Sequence, residues 1–152
     1  MNVQQFLSGL QVEFDVLHHS PSFSAQEMAQ ATHTSGKDVA KTVLLHCEDD
    51  DEYMVAVLPA SSYVNFQKVE HATGHRGVEL ASEVEIGEMC PDCELGALPP
   101  FGSQYHMRTI VDEDLGEDEE IVFEGNSHEE SVRMRFDDFM RIEQPLQASF
   151  AY

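Results

Sequence analysis

Positive charge is the first thing this chain has little of. Eight Lys and Arg stand against 29 Asp and Glu in 152 residues, a formal net charge of −21. Only Lys37, Lys41 and Lys68 are lysines. A protein that grips nucleic acid broadly carries a basic face, because release of phosphate counterions drives that binding. Broad electrostatic capture of a polyanion is therefore not expected, and any such contact has to rest on a few clustered cations. The acid excess reads as a solvated, solubilising surface or as adaptation to a salty cytoplasm that screens repulsion; composition leaves both open.

Cysteine is scarce as well. Cys47, Cys90 and Cys93 are an odd number and imply no disulfide framework. Cys90-Pro91-Asp92-Cys93 is a single knuckle, whereas structural zinc takes four ligands, usually from two; two thiols in a loop is the reading kept. Long apolar runs are missing. Val43 to Leu45 and Met54 to Leu58 fall far short of the roughly 20 residues that cross a bilayer, so no membrane association is expected. Met1 to Gln5 has neither the basic nor the apolar region of a secretory signal, which makes a reducing cytoplasm the expected location. Nucleophile-elbow, P-loop, dinucleotide-glycine and HExxH motifs are all lacking. Hydrolysis by this chain would use neither a conventional nucleophile nor a motif-marked metal, and no cofactor is implied.

What is there fits one domain over residues 1–152, with 41% hydrophobic residues to fill a core. Val3, Phe6, Leu7 and Leu10 share one face of a helix over 2–10, and Glu13 to His18 reads as a short strand. Ser24 to Glu27 has the form of a capping box opening a helix over 25–33. Val39 to Cys47 and Tyr53 to Leu58 make a hairpin across an acidic turn. A helix over Ser62 to His71, a strand over Gly77 to Leu80 and a helix opened by the capping box Ser82-Glu83-Val84-Glu85 follow. Residues 90–106 form a long loop rich in Pro and Gly, of a length that is usually functional. Strands over Met107–Val111, Glu120–Glu124 and Ser131–Arg135 and a helix over Phe136–Ile142 complete the chain. Helices and strands mix without strict alternation, which favours an α+β fold with a mixed sheet.

Three places could carry chemistry. Lys41 shares its strand face with Val39, Val43 and Leu45, so its ammonium either snorkels to the rim or reaches an anion in a cavity. Gly96-Ala97-Leu98-Pro99-Pro100-Phe101-Gly102 is a stiff loop able to present N–H groups to a carbonyl or phosphate, or an ordinary surface turn. Gly125-Asn126-Ser127-His128 joins two strands, and His128 there either binds a hydroxyl, moves a proton or caps a turn.

In order, these stretches resemble the YbaK / prolyl-tRNA synthetase-associated editing-domain family, from about His19 to Ile142. The lysine-bearing strand Val39-Ala40-Lys41-Thr42-Val43-Leu44-Leu45 precedes the strand Tyr53 to Pro59. The GxxxP loop is Gly96-Ala97-Leu98-Pro99-Pro100. Val111-Asp112 and Gly125-Asn126-Ser127-His128 stand where the family has an aspartate and a glycine–histidine turn. The resemblance implies a compact α+β domain with a barrel-like sheet, and metal-free, substrate-assisted deacylation of mischarged tRNA in trans. By the same resemblance Lys41 holds the phosphate or ribose of the terminal adenosine. The backbone of Gly96, Ala97 and Leu98, with Pro99 and Pro100, holds the aminoacyl group. His128, Asp112, Gly125, Asn126 and Ser127 shape the pocket or bind the amino acid and water, and Phe23, Ser24 and Thr32 are placed to line it. Its implied partners are the aminoacylated tRNA 3′ end and an aminoacyl-tRNA synthetase. The competing reading is a catalytically silent module that binds a nucleotide or aminoacyl end.

Overall fold

A computed structural model describes residues 2–21, 27, 29, 30, 32, 38–116 and 119–152. Helix α1 (Val3–Gly9) opens on a capping box, the Asn2 side chain accepting the Gln5 N–H while the Gln5 side chain accepts the Asn2 N–H. Strand β1 (Phe14–His18) follows. Glu27, Ala29 and Gln30 are helical; Phe23, Ser24, Ala25 and Gln26 lie outside the described residues. Strands β2 (Ala40–Cys47) and β3 (Glu52–Pro59) form the expected hairpin, in register from Ala40 opposite Pro59 to Cys47 opposite Glu52.

Helix α2 (Phe66–Thr73) is capped by the Asn65 side chain and ends at Gly74, whose φ of 80° suits glycine. It starts four residues later than the sequence pattern suggests. The segment before it is drawn into a β-bridge between Val64 and Ala151 instead. Strand β4 (Val78–Leu80) leads to α3 (Glu83–Met89), opened by the reciprocal Ser82–Glu85 capping box read from the sequence. The long loop carries a 3-10 turn over Gly102–Tyr105. Strands β5 (Arg108–Asp112), β6 (Glu120–Glu124) and β7 (Glu130–Arg135), helix α4 (Phe136–Glu143) and strand β8 (Leu146–Ala148) complete the order. Strand β8 has no counterpart in the sequence reading.

Five strands form a mixed sheet in the order β4-β2-β3-β5-β8, and three form an antiparallel sheet in the order β1-β7-β6. The two are stitched by a parallel bridge between Val39 and Val122, backed by the Val122 N–H donating to the Asp38 carbonyl at 3.0 Å. That stitch is what makes the sheet barrel-like, but among the described residues no ladder closes it: the fold is two sheets joined at one corner. One face of the large sheet packs Ala40, Leu44, Val55, Val57 and Val111 against α1, the small sheet and Phe139 of α4. The other face packs Leu45, Met54, Ala56, Leu58 and Ile110 against Val69 of α2 and Phe150. Being covered on both sides, β2 and β3 lack a clean alternation of buried and exposed positions.

Candidate active site

The glycine–proline loop is held from three directions. At its start the Glu94 N–H donates to the Asn126 carbonyl (2.8 Å) and the Ala97 N–H to the Glu94 carbonyl (3.0 Å). Gly96 turns the chain at φ +84°, a conformation that favours glycine. At its end Phe101 is fully buried against the rings of Phe6, Phe123 and Phe139, with centroids 5.3, 5.7 and 5.5 Å away. The Gly102 N–H then donates to Thr109 Oγ1 at 2.9 Å. Ala97, Leu98, Pro99 and Pro100 are buried and Gly96 is exposed. The loop is therefore anchored by core packing at one end and presents its glycine at the surface.

Against it lies the turn between β6 and β7. The Gly125 N–H donates to the Glu130 carbonyl at 2.9 Å, and Asn126 adopts φ +72°. Asn126 ties three segments together. Its Oδ1 accepts the Val3 N–H of α1 (2.9 Å), its Nδ2 donates to Cys93 Sγ (3.1 Å), and its carbonyl holds Glu94. Ser127 Oγ accepts the Glu129 N–H at 3.3 Å. His128 follows, with a Cβ built on Gly96 only 3.5 Å from its Cε1. The structure thus brings together the loop and the histidine turn that the sequence places 30 residues apart.

Both ring nitrogens of His128 are employed within the protein. Nε2–H donates to the Leu95 carbonyl at 2.7 Å, and Nδ1 lies 3.1 Å from Glu124 Oε2. The backbone N–H of His128 donates to Glu94 Oε2 at 3.0 Å. Burial pushes the Glu124 carboxyl up to about 7, Glu94 adds to the rise, and His128 works against it. Glu124 was not among the residues singled out from the sequence. Its only signal there is its spacing of four residues from His128 across a turn.

This pair has a consequence for stability. An unfolded glutamate releases its proton near 4.5, whereas folded Glu124 keeps it until about pH 7. The folded state binds the extra proton across that window, so its contribution is full below it and lost as pH rises through it. Urea unfolding from pH 4.5 to 7.5 should show wild type losing on the order of 1–2 kcal/mol relative to Glu124→Gln. Parallel pH profiles would refute the raised Glu124 pKa.

Beside the loop is a cavity of about 190 Å³, lined by Gly96 and Leu98, by Thr42, Val43 and Leu44 of β2, and by Leu80, Ala81 and Ile86. Apart from Thr42 and backbone, the lining is apolar. Helix α3, which supplies Ile86, is pinned to β3 by the Tyr53 hydroxyl donating to Glu85. Among the described residues the N–H groups of Gly96 and Leu98 have no acceptor, and Pro99 and Pro100 have no N–H at all.

The remaining expected residues are dispersed. Lys41, one residue from Thr42, carries its Nζ 4.8 Å over the ring of Tyr63. Burial lowers its pKa. Asp112 is 1% exposed. Its Oδ1 accepts the N–H groups of Phe150 and Ala151 (both 2.9 Å) and its Oδ2 that of Asp114 (3.0 Å). That carboxylate holds the C-terminal segment to β5. Buried Thr32 gives its carbonyl to Arg133 Nη2 at 3.3 Å. Cys90 is buried, and burial raises its thiol to about 12; Cys93 sits beside Asn126 and the Tyr105 hydroxyl.

A mixed five-stranded sheet beside a small antiparallel sheet, with a glycine–proline loop laid on a histidine turn, is an α+β architecture already seen in solved structures. The crystal structure of hypothetical protein APE2540 superimposes with a TM-score of 0.90 at 16% identity, covering 99% of each chain. A structure provisionally assigned as a trans-editing enzyme for prolyl tRNA synthetase does so at 0.84 and 19% identity, covering 99% of this chain and 94% of that one. The chain belongs to the aminoacyl-tRNA editing domain family, whose model matches residues 19–142. It is also similar to the multifunctional Ser/Thr-tRNA deacylase ProXp-y of Escherichia coli K12, 25% identical over 141 residues that span 91% of this chain and 84% of the relative.

Proposed function

We propose that this chain is a trans-editing deacylase, a hydrolase that cleaves the ester joining a wrong amino acid to the 3′ end of tRNA. One observation carries the reading. The backbone of Gly96 to Leu98 is fixed by Phe101 at one end and His128 at the other; Gly96 and Leu98 line a small apolar cavity, and among the described residues their N–H groups have no acceptor. An aminoacyl ester is already activated, so the protein has to position water and stabilise a developing oxyanion more than supply a nucleophile. Fixed N–H donors do this without reorganising during the reaction. The amino-acid side chain occupies the cavity beside Thr42 and Leu98, and Lys41 supplies a point charge to the phosphate or ribose of the terminal nucleotide. His128 acts through the loop, since both its ring nitrogens are engaged inside the protein. Gly125, Asn126 and Ser127 support that turn.

The acidic surface fits a terminus-focused contact, with a synthetase handing over the mischarged tRNA in the cytoplasm. No helix among the described residues is long and apolar enough to cross a membrane. The amino acid named for the Escherichia coli relative sets the first substrates to try. Incubation with a panel of charged tRNAs that includes Ser-, Thr-, Ala- and Cys-tRNA should release one or more amino acids. Binding without hydrolysis across the panel would turn the assignment to a silent binding module.

With so few cations, log K for tRNA against log salt should have a shallow slope, equivalent to about 2–4 neutralised phosphates. A slope typical of a broad basic face would contradict a terminus-focused contact.

A further inference from the structure

Two of the four tyrosines stand on the surface, where they do nothing for the core. Tyr63 is 65% exposed and Tyr152 is 71% exposed. They are nonetheless fixed opposite each other. The Tyr63 N–H donates to the Tyr152 carbonyl (2.8 Å) and the Tyr152 N–H to the Tyr63 carbonyl (2.9 Å). The adjoining Val64–Ala151 bridge turns Val64 and Ala151 in towards Phe150 and the α2 side of the sheet. The alternation of a β-pair then turns both phenol rings out, side by side, with centroids 5.9 Å apart and planes at 39°. Asp112 locks the segment from beneath through Phe150 and Ala151. The backbone ladder would form equally well with small residues at both positions, so the rings themselves are what this arrangement presents.

Lys41 joins the pair, its Nζ 4.8 Å over the Tyr63 ring. Two exposed aromatic rings with a cation over one of them are the elements that hold unpaired nucleic-acid bases. Bases stack on tyrosine whatever their sequence, and the cation meets the phosphate. Stacking also answers the problem set by a charge of −21. A protein that repels a polyanion at long range has to gain affinity from contacts that do not depend on counterion release.

We propose that Tyr63 and Tyr152, with Lys41 over the Tyr63 ring, form a stacking platform for an unpaired base of the single-stranded tRNA 3′ end. This rests on the deacylase reading above and adds to it the surface that captures the terminus. The base lies on the tyrosine pair and its phosphate takes the Lys41 ammonium.

The test uses the full chain and a fluorescein-labelled RNA hairpin ending in a single-stranded ACCA tail, read by anisotropy. Tyr63→Ala and Tyr152→Ala should each weaken binding by about 5- to 30-fold, while Tyr63→Phe and Tyr152→Phe stay within about twofold because the stacking face survives. A hairpin whose tail bases are abasic should bind wild type and the Ala variants alike. In deacylation, the Ala variants should raise KM by the same factor and leave kcat unchanged. Both side chains are exposed, and thermal melts of the variants check that the fold is intact. Wild-type affinity in the double Ala variant, or equal binding of the intact and abasic hairpins, would overturn the platform. The two proposals separate cleanly. Hydrolysis with unchanged KM in the double variant removes the platform and keeps the deacylase. Base-dependent binding with no hydrolysis of any charged tRNA removes the deacylase and keeps the platform.

Discussion

Replacing Lys41 by alanine should lower kcat/KM for deacylation by about 10- to 100-fold, or roughly 1.4–2.8 kcal/mol of transition-state stabilisation. The side chain leaves the central strand β2, opposite Leu58 in the hairpin register, one residue before the Thr42 that lines the cavity. Its ammonium is partly desolvated, which lowers its pKa and strengthens its field on a nearby phosphate, because screening by water is weaker there. Lys41→Arg keeps the charge but replaces a compact ammonium with a planar fork. It should recover only part of the rate if Lys41 meets the substrate at a fixed point. Stability should change little in either variant, since the side chain makes no ion pair among the described residues. Wild-type kcat/KM in Lys41→Ala would remove this lysine from the site.

Asp112→Ala should be the most destabilising single change near the site. Its carboxylate receives three backbone N–H groups, from Asp114, Phe150 and Ala151, and it is 1% exposed. Alanine leaves those donors in a space with no acceptor, and a buried unsatisfied donor costs about 1–3 kcal/mol. A loss of about 3 kcal/mol is expected overall, which for a chain of this size lowers Tm by roughly 6–12 °C. Asp112→Asn keeps an oxygen for Phe150 and Ala151 but turns an amide towards the Asp114 N–H, so it should fall between the two. This measurement also decides what the aspartate does. Full stability with lost kcat in Asp112→Asn would return it to the substrate pocket. Lost stability with kcat retained at low temperature makes it the tether of the C-terminal segment. Because Phe150 and Ala151 lie under the tyrosine pair, loosening them should also weaken the binding of the RNA tail.

Much of this was legible because it is local. Ser82 caps its helix through an N–H group only three residues away, and a run of four residues suffices to show it. The β2–β3 hairpin follows from two apolar runs and the turn between them. The glycine–proline loop and the histidine turn were legible as candidates for the same reason: Gly96 and Asn126 sit at positive φ, a demand that a short motif can express. The start of α2 was misplaced because Tyr63 and Val64 are claimed by a partner about 90 residues away, which no local pattern records. Glu124 was passed over because a glutamate at a strand end is ordinarily exposed. Only the packing of His128 and Glu94 around it makes it a buried acid.

The sequence by itself determined the composition-level facts: one acidic domain with enough apolar residues for a core, α+β in class, with a lysine strand, a GxxxP loop and a histidine turn in family order. These are properties of short segments and of totals, and they need no knowledge of who packs against whom. Only the tertiary structure decided that His128 faces Glu124 and the Leu95 carbonyl, that Asp112 is spent on the C-terminal backbone, and that Tyr63 and Tyr152 stand together beside Lys41. The reason is physical: such pairings join residues far apart in the chain, and their energies come from burial and geometry that exist only once both sheets have packed.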